Sequence, residues 1–188
     1  MNLDDHRTHP TLTSSPLTLE QIQQAIAHHE GGHALVAAHY GVQCTLIQVM
    51  RVEREAGTGW TGATSYAGGA ISAHGLAVVA AAGEQAELLY LQETGRLTPA
   101  TAAAARADHD RDTAIAAAAA LGYVITLTGP APADPYKGAS WTEVVEEARS
   151  LVVDYWPALA SVAAGVMASP DLTLTGEQTS HIINRHLT

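Results

Sequence analysis

Two histidines four positions apart form the part of this sequence whose residue types could do chemistry. His29 and His33 enclose Glu30, Gly31 and Gly32 in the pattern HExxH. Because four residues advance an α-helix by about 400°, the two imidazoles project from nearly one face and can bind the same Zn²⁺ ion. Glu30 lies beside them and can act as general base toward a water molecule on the metal. The motif therefore predicts a zinc site suited to hydrolysis.

The residues next to the histidine pair need their own explanation. Each glycine inside a helix costs about 1 kcal/mol relative to alanine. We interpret Gly31 and Gly32 as bare backbone that lets a substrate or a neighbouring segment come close to the metal. His28 adjoins the pair but points about 100° away from it, so we expect it at the surface or in support of a ligand.

The third protein ligand stays open when only residue types and spacing are considered. A catalytic zinc site has three protein ligands and one open position. His39 has the metzincin spacing, but Val36 stands where that scheme needs glycine, so we expect His39 to be exposed. Glu84 or Glu87 would serve in a thermolysin-like scheme. An aspartate from a later helix is the third possibility, and the segment ARADHDRDTAIA offers Asp108, Asp110 and Asp112.

Capping signals and periodicity predict the elements that position these residues. Thr18 and Gln21 form a capping box and Gly41 is a natural stop, so one helix carries HExxH. Residues 45–52 and 59–66 are β-like and predict a hairpin. The remaining helical patterns cover residues 72–93, 100–121 (interrupted by ADHDRD), 140–168 (kinked at Pro157) and a short segment from 175. The fold class that we expect is mainly α with a small β-hairpin or sheet, an α+β protein.

Composition restricts the class of protein and its partners. The 188 residues carry a net charge of −10 and a single lysine, Lys137, so no basic stripe is available for nucleic acid. Cys44 is the only cysteine, which favours a reducing, cytoplasmic location. We find no signal-peptide pattern, and no apolar run of about 18 residues that would predict a membrane span. Residues 1–16 are polar and predict a disordered tail, and residues 17–188 predict one domain.

Four segments in order resemble the peptidase domain of FtsH-type proteases, which are zinc endopeptidases joined to an AAA ATPase motor. They are HHEGGHALVA, GWTGATSY, LAVVAAAGEQAELL and ADHDRDTAIAAA, and the similarity runs from about residue 18 to the end. AGEQAELL looks like that family's GGRAAEEL, and ADHDRDTAIA looks like its SNDLERATEIA. The resemblance implies a zincin-type helical metalloprotease domain over residues 17–188. It implies Zn²⁺ bound by His29, His33 and Asp108.

The same resemblance implies further roles. Asp112, one turn from Asp108 on the same face, is the alternative ligand, and Glu84 and Glu87 have structural roles because the family keeps acids there without using them as ligands. The implied activity is hydrolysis of peptide bonds in flexible or unfolded polypeptides, with Glu30 as general base. An extended substrate would add as a strand beside residues 59–66.

Two departures from the family pattern affect the expected function. The family usually has alanine at the position of Gly31, and the 188 residues contain no P-loop pattern G-x-x-x-x-G-K-[ST]. We therefore expect a peptidase domain without motor or membrane anchor. The alternatives are a catalytically silent binding or regulatory module and the proteolytic subunit of a separate ATPase. A homo-oligomer is a further possibility carried over from the family.

Overall fold

The computed structural model describes residues 16–54 and 57–187, so the tail predicted over residues 1–16 lies outside the described residues except for its last position. The helices are α1 Leu19–His39, α2 Ala73–Glu93, α3 Pro99–Ala104, α4 Asp108–Ala120, α5 Trp141–Asp154, α6 Trp156–Ala168 and α7 Gly176–Leu187. The strands are β1 Cys44–Arg54, β2 Gly57–Tyr66, β3 Val124–Thr126, β4 Gly138–Ser140 and β5 Thr173–Thr175. The predicted α+β class, mainly helical with a small sheet, is confirmed.

Helix α1 is the central element of the fold. The predicted capping box is present. The Thr18 hydroxyl accepts a hydrogen bond from the main-chain N–H of Gln21, and the Gln21 side chain accepts one from the main-chain N–H of Thr18. The chain leaves the helix at Gly41, whose φ of 75° favours glycine. Between these ends α1 packs against α2, α6, β1 and β2. A helix enclosed on several sides is expected to be apolar or small around its circumference, and the two histidines and the glutamate of HExxH are buried polar exceptions to this pattern in α1.

The main sheet has three strands in the order β2-β1-β5, all antiparallel. The predicted hairpin forms its first two strands, and β2 lies at one edge of this sheet. Strand β5 was not predicted because Thr173–Thr175 is too short to show a period. A second sheet pairs β3 with β4 in parallel.

Two of the predicted helices are broken in the structure. The pattern over residues 100–121 forms α3 and α4 as separate helices, but the break lies at residues 105–107, and nearly all of the predicted interruption ADHDRD instead forms the start of α4. The pattern over residues 140–168 forms α5 and α6, whose axes differ by 78°. The break is at Tyr155, and Pro157 lies in the first turn of α6. Among the described helices none is alone long and apolar enough to cross a membrane, and only this bent pair reaches that length and composition together.

Candidate metal centre

Three buried side chains from α1 and α4 converge on one point. The Nε2 atom of His29 lies 3.3 Å from Oδ2 of Asp110, and the Nε2 atom of His33 lies 3.5 Å from the same oxygen. The three residues are at most 8% exposed. HExxH supplies both histidines from one face of α1, as its spacing predicts. A carboxylate 77 positions after His33 completes the group by long-range packing.

Hydrogen bonds on the far side of each ring fix which nitrogen faces the centre. Nδ1 of His33 donates to the main-chain carbonyl of Val79 at 2.7 Å, since a carbonyl oxygen only accepts. When the ring is neutral, this contact places the Nε2 lone pair on the side of Asp110. Nδ1 of His29 lies 3.2 Å from Oε2 of Glu87, an acceptor of the same kind. Such contacts are typical of metal-binding histidines because they fix the tautomer and raise the basicity of the ligand atom.

The distances from the Asp110 carboxylate to the two rings fit a tetrahedral zinc ion. Bonds of about 2.0–2.1 Å in a tetrahedron place the ligand atoms about 3.3–3.4 Å apart. The 3.3 and 3.5 Å separations from the carboxylate of Asp110 are close to that value. Two nitrogen lone pairs directed at a carboxylate oxygen repel it unless a proton or a cation lies between them. The donor set, two imidazoles and one carboxylate, is one that Zn²⁺ accepts.

The structure does not bring Asp108 to the histidine pair, and the expectation that it would lie there is corrected. The Asp108 side chain is 52% exposed and accepts hydrogen bonds from Arg106 at 3.0 Å and Arg111 at 2.7 Å. Asp112, the alternative, is 64% exposed and pairs with Arg111. Two residues turn a helix by about 200°, so Asp108 and Asp110 lie on opposite faces of α4. The carboxylate that reaches the histidines is that of Asp110.

One signal in the sequence could have favoured Asp110. Ala114 and Ala118 follow it at one and two helical turns, and both are buried, so this stripe faces the core. Arg111 stands three residues after Asp108, a spacing typical of an exposed ion pair. The signal is weak, because nearly every position of α4 after residue 113 is alanine and the apolar face shows little contrast.

Glutamates of α2 support the centre without joining it. Glu87 contacts His29 from behind, as described above. Oε2 of Glu84 accepts a hydrogen bond of 2.9 Å from the main-chain N–H of Ala107, the residue immediately before α4. Ala107 has no capping side chain of its own, so Glu84 stabilises the start of the helix that carries Asp110. These contacts agree with the prediction that Glu84 and Glu87 have structural roles.

The other two histidines of the region lie away from the centre. His39 is exposed, as expected from the position of Val36. His28 stacks on Tyr90 with ring centroids 4.3 Å apart, and also on Trp156 at 5.4 Å. Burial lowers its pKa, so it packs as a neutral aromatic ring. His28 is therefore a half-buried packing residue that stacks on Tyr90 and Trp156.

Gly83 of α2 has no side chain and so leaves room for the rings of His29 and His33. A Cβ atom built on Gly83 would collide with Nε2 of both His29 and His33. Within HExxH itself, a Cβ on Gly32 would lie 2.7 Å from the carbonyl oxygen of Ala82. Gly32 therefore allows α2 to pack closely against the motif. Gly31 instead faces Val162 at 3.5 Å, an ordinary contact distance.

We expect Gly83→Ala to abolish zinc binding, because the added methyl group occupies the space of the two ligand atoms. Overpacking of this kind costs about 1–3 kcal/mol of folding free energy when the chain can adjust. Gly31→Ala is the matched control: its methyl group fits beside Val162, and removing a glycine from a helix should stabilise the fold by about 1 kcal/mol. Zinc content and the thermal midpoint of both purified variants test this. Equal zinc content in the two variants would contradict the close approach at Gly83.

A narrow cleft opens beside the centre. Its volume is about 60 Å³, and Glu30, His33 and Asp110 lie on its wall together with residues of β2, α2 and α4. Glu30 is 3% exposed, and its Oε2 accepts a hydrogen bond of 2.7 Å from the Thr64 hydroxyl of β2. The general base predicted from the motif therefore shares a cleft with two of the three candidate ligands, His33 and Asp110, and with an edge strand.

The arrangement can hold a divalent cation between three buried ligands and place a proton acceptor beside it. The cleft gives access to this group from the side of β2, where an extended chain could bind.

No model of a known protein family matches this chain, and no curated protein matches it either.

Proposed function

We propose that this chain is a zinc-dependent endopeptidase that hydrolyses peptide bonds in flexible or unfolded polypeptides. The observation that carries the proposal is the convergence of His29, His33 and Asp110, with the Asp110 carboxylate at zinc-like distances from both rings, beside a cleft whose wall includes Glu30. The resemblance of the sequence to FtsH-type peptidase domains supports the same reaction. The resemblance implies Asp108 as the third ligand, whereas we assign this role to Asp110 because its carboxylate is the one beside both rings.

The residues of the chain have distinct tasks in this reaction. Bound Zn²⁺ supplies Lewis-acid chemistry, which lowers the pKa of water toward about 7 and polarises the scissile carbonyl. Glu30 accepts the proton of the attacking water and later transfers it to the leaving amine. Val79 and Glu87 keep the two imidazoles in the orientation that directs Nε2 to the centre. Glu84 fixes the start of α4 and with it the position of Asp110.

The edge strand and the narrow cleft limit the class of substrate. Strand β2 pairs with β1 on one side and lies at the edge of its sheet, so an extended polypeptide can add along its other side through main-chain hydrogen bonds. A cleft of about 60 Å³ is far too small for a folded domain, so only a flexible segment could bring a peptide bond to the centre. Substrates are therefore flexible termini, loops and unfolded segments. A separate ATPase or assembly with further copies would widen this range to chains that must first be unfolded.

A peptide-library digest tests the proposal directly. The zinc-loaded protein should cleave unstructured peptides, a chelator should stop cleavage, and added Zn²⁺ should restore it. Binding of peptides without cleavage would favour a silent binding module. Cleavage that requires a co-purifying ATPase and ATP would favour a proteolytic subunit.

A further inference from the structure

The carboxylate of Glu30 is held by β2 rather than by its own helix. The Thr64 hydroxyl lies 2.7 Å from Oε2 of Glu30 and 3.1 Å from the main-chain oxygen of the same residue. A threonine hydroxyl carries one hydrogen, and the shorter contact is the one to the charged oxygen. Both residues are buried, at 3% and 7% exposure, so water does not replace this donor. The hydrogen bond therefore fixes one of the two carboxylate oxygens.

A glycine two positions earlier gives this carboxylate its space. A Cβ atom on Gly62 would collide with Oε1 of Glu30 and lie 2.5 Å from its Cγ. Side chains two apart on a strand share a face, so Gly62 and Thr64 both face α1. Their partners across β1, Val49 and Ile47, are buried on that face. Strand β2 therefore places the Thr64 hydroxyl beside Oε2 of Glu30 and the bare backbone of Gly62 beside Oε1.

We propose that Thr64 is a positioning residue for Glu30. It acts through the carboxylate and not on the substrate: its hydroxyl holds Oε2, while Oε1 lies beside the bare backbone of Gly62. The same strand offers its edge to the substrate, so substrate and base are held by one element. This inference rests on the proposed function, in which Glu30 is the general base.

Two substitutions at residue 64 separate positioning from packing. Thr64→Val keeps the shape of the side chain and removes the donor, whereas Thr64→Ser keeps the donor and removes a methyl group. We expect Thr64→Val to lower kcat on an unstructured peptide by about 10- to 100-fold, with KM changed by no more than about twofold. Thr64→Ser should retain most of the wild-type kcat, and both should retain the wild-type zinc content. A valine variant with wild-type kcat overturns the inference.

A second measurement needs neither zinc nor activity. In chelator-treated protein, Thr64→Val leaves a buried carboxylate without its donor and should lower the urea midpoint. The same substitution in a Glu30→Ala background should lower the midpoint much less, because the acceptor is already absent. Equal decreases in the two backgrounds overturn the inference. A wild-type protein that cleaves nothing overturns the proposed function instead, and this double-mutant cycle still decides whether Thr64 holds the carboxylate.

Discussion

Glu30→Gln is expected to abolish peptide cleavage while the protein keeps its zinc. Glutamine has nearly the shape of glutamate and its amide oxygen can still accept the hydrogen bond from Thr64, so the fold and the cleft should persist. The amide cannot take a proton from water, however. Loss of a general base typically costs about 10²–10⁴ in rate. The measurement is kcat/KM on an unstructured peptide, together with zinc content by atomic absorption.

Glu20→Gln is the matched control for this experiment. Glu20 lies in the first turn of the same helix and is exposed, so its replacement should change neither activity nor zinc content. Cleavage by Glu30→Gln at a rate near that of wild type would exclude Glu30 as the base. Chelator sensitivity of any remaining activity distinguishes cleavage at this centre from a contaminating protease.

The sequence predicts well the parts of the site that depend on local interactions. The capping box at Thr18 and Gln21 fixes where α1 begins, and the spacing of His29 and His33 fixes their common face. Both are decided within one or two helical turns. The hairpin is similarly local, since β1 and β2 are neighbours in the chain. These elements agree with the predictions, and they supply two of the three candidate metal ligands and the neighbouring glutamate.

The parts that the sequence predicts poorly depend on packing between distant segments. The contact of His29 with Glu87 joins residues 58 positions apart, and that of His33 with Val79 joins residues 46 apart. Thr64 reaches Glu30 across 34 positions. No period or cap encodes such contacts. Residue types alone leave Asp108, Asp110 and Asp112 open for the same reason: an alanine-rich helix shows little of which face it buries, and packing against α2 determines which carboxylate faces the histidines.

Asp110→Ala is expected to lose zinc, whereas Asp108→Ala and Asp112→Ala should keep it. Asp110 is the carboxylate that reaches both imidazoles, and removing one of three protein ligands leaves two histidines on one helix. Asp108 and Asp112 are themselves exposed and pair with Arg106 and Arg111 at the surface, and such pairs contribute about 0–1 kcal/mol to stability. The measurement is zinc stoichiometry after dialysis, with the thermal midpoint recorded in the presence and absence of zinc.

The thermal midpoint gives this comparison an independent readout. A ligand that binds only the folded state stabilises it by about 2.7 kcal/mol at a free concentration of about 100 Kd. Wild type, Asp108→Ala and Asp112→Ala should therefore all melt at higher temperature when zinc is added, and Asp110→Ala should not. If Asp108→Ala instead lost both the zinc and the shift, the family-based assignment would be right and α4 would have to turn by about half a revolution to bind the metal. That rotation would expose the stripe of Ala114 and Ala118, which are now buried, so the packing of α4 itself favours Asp110.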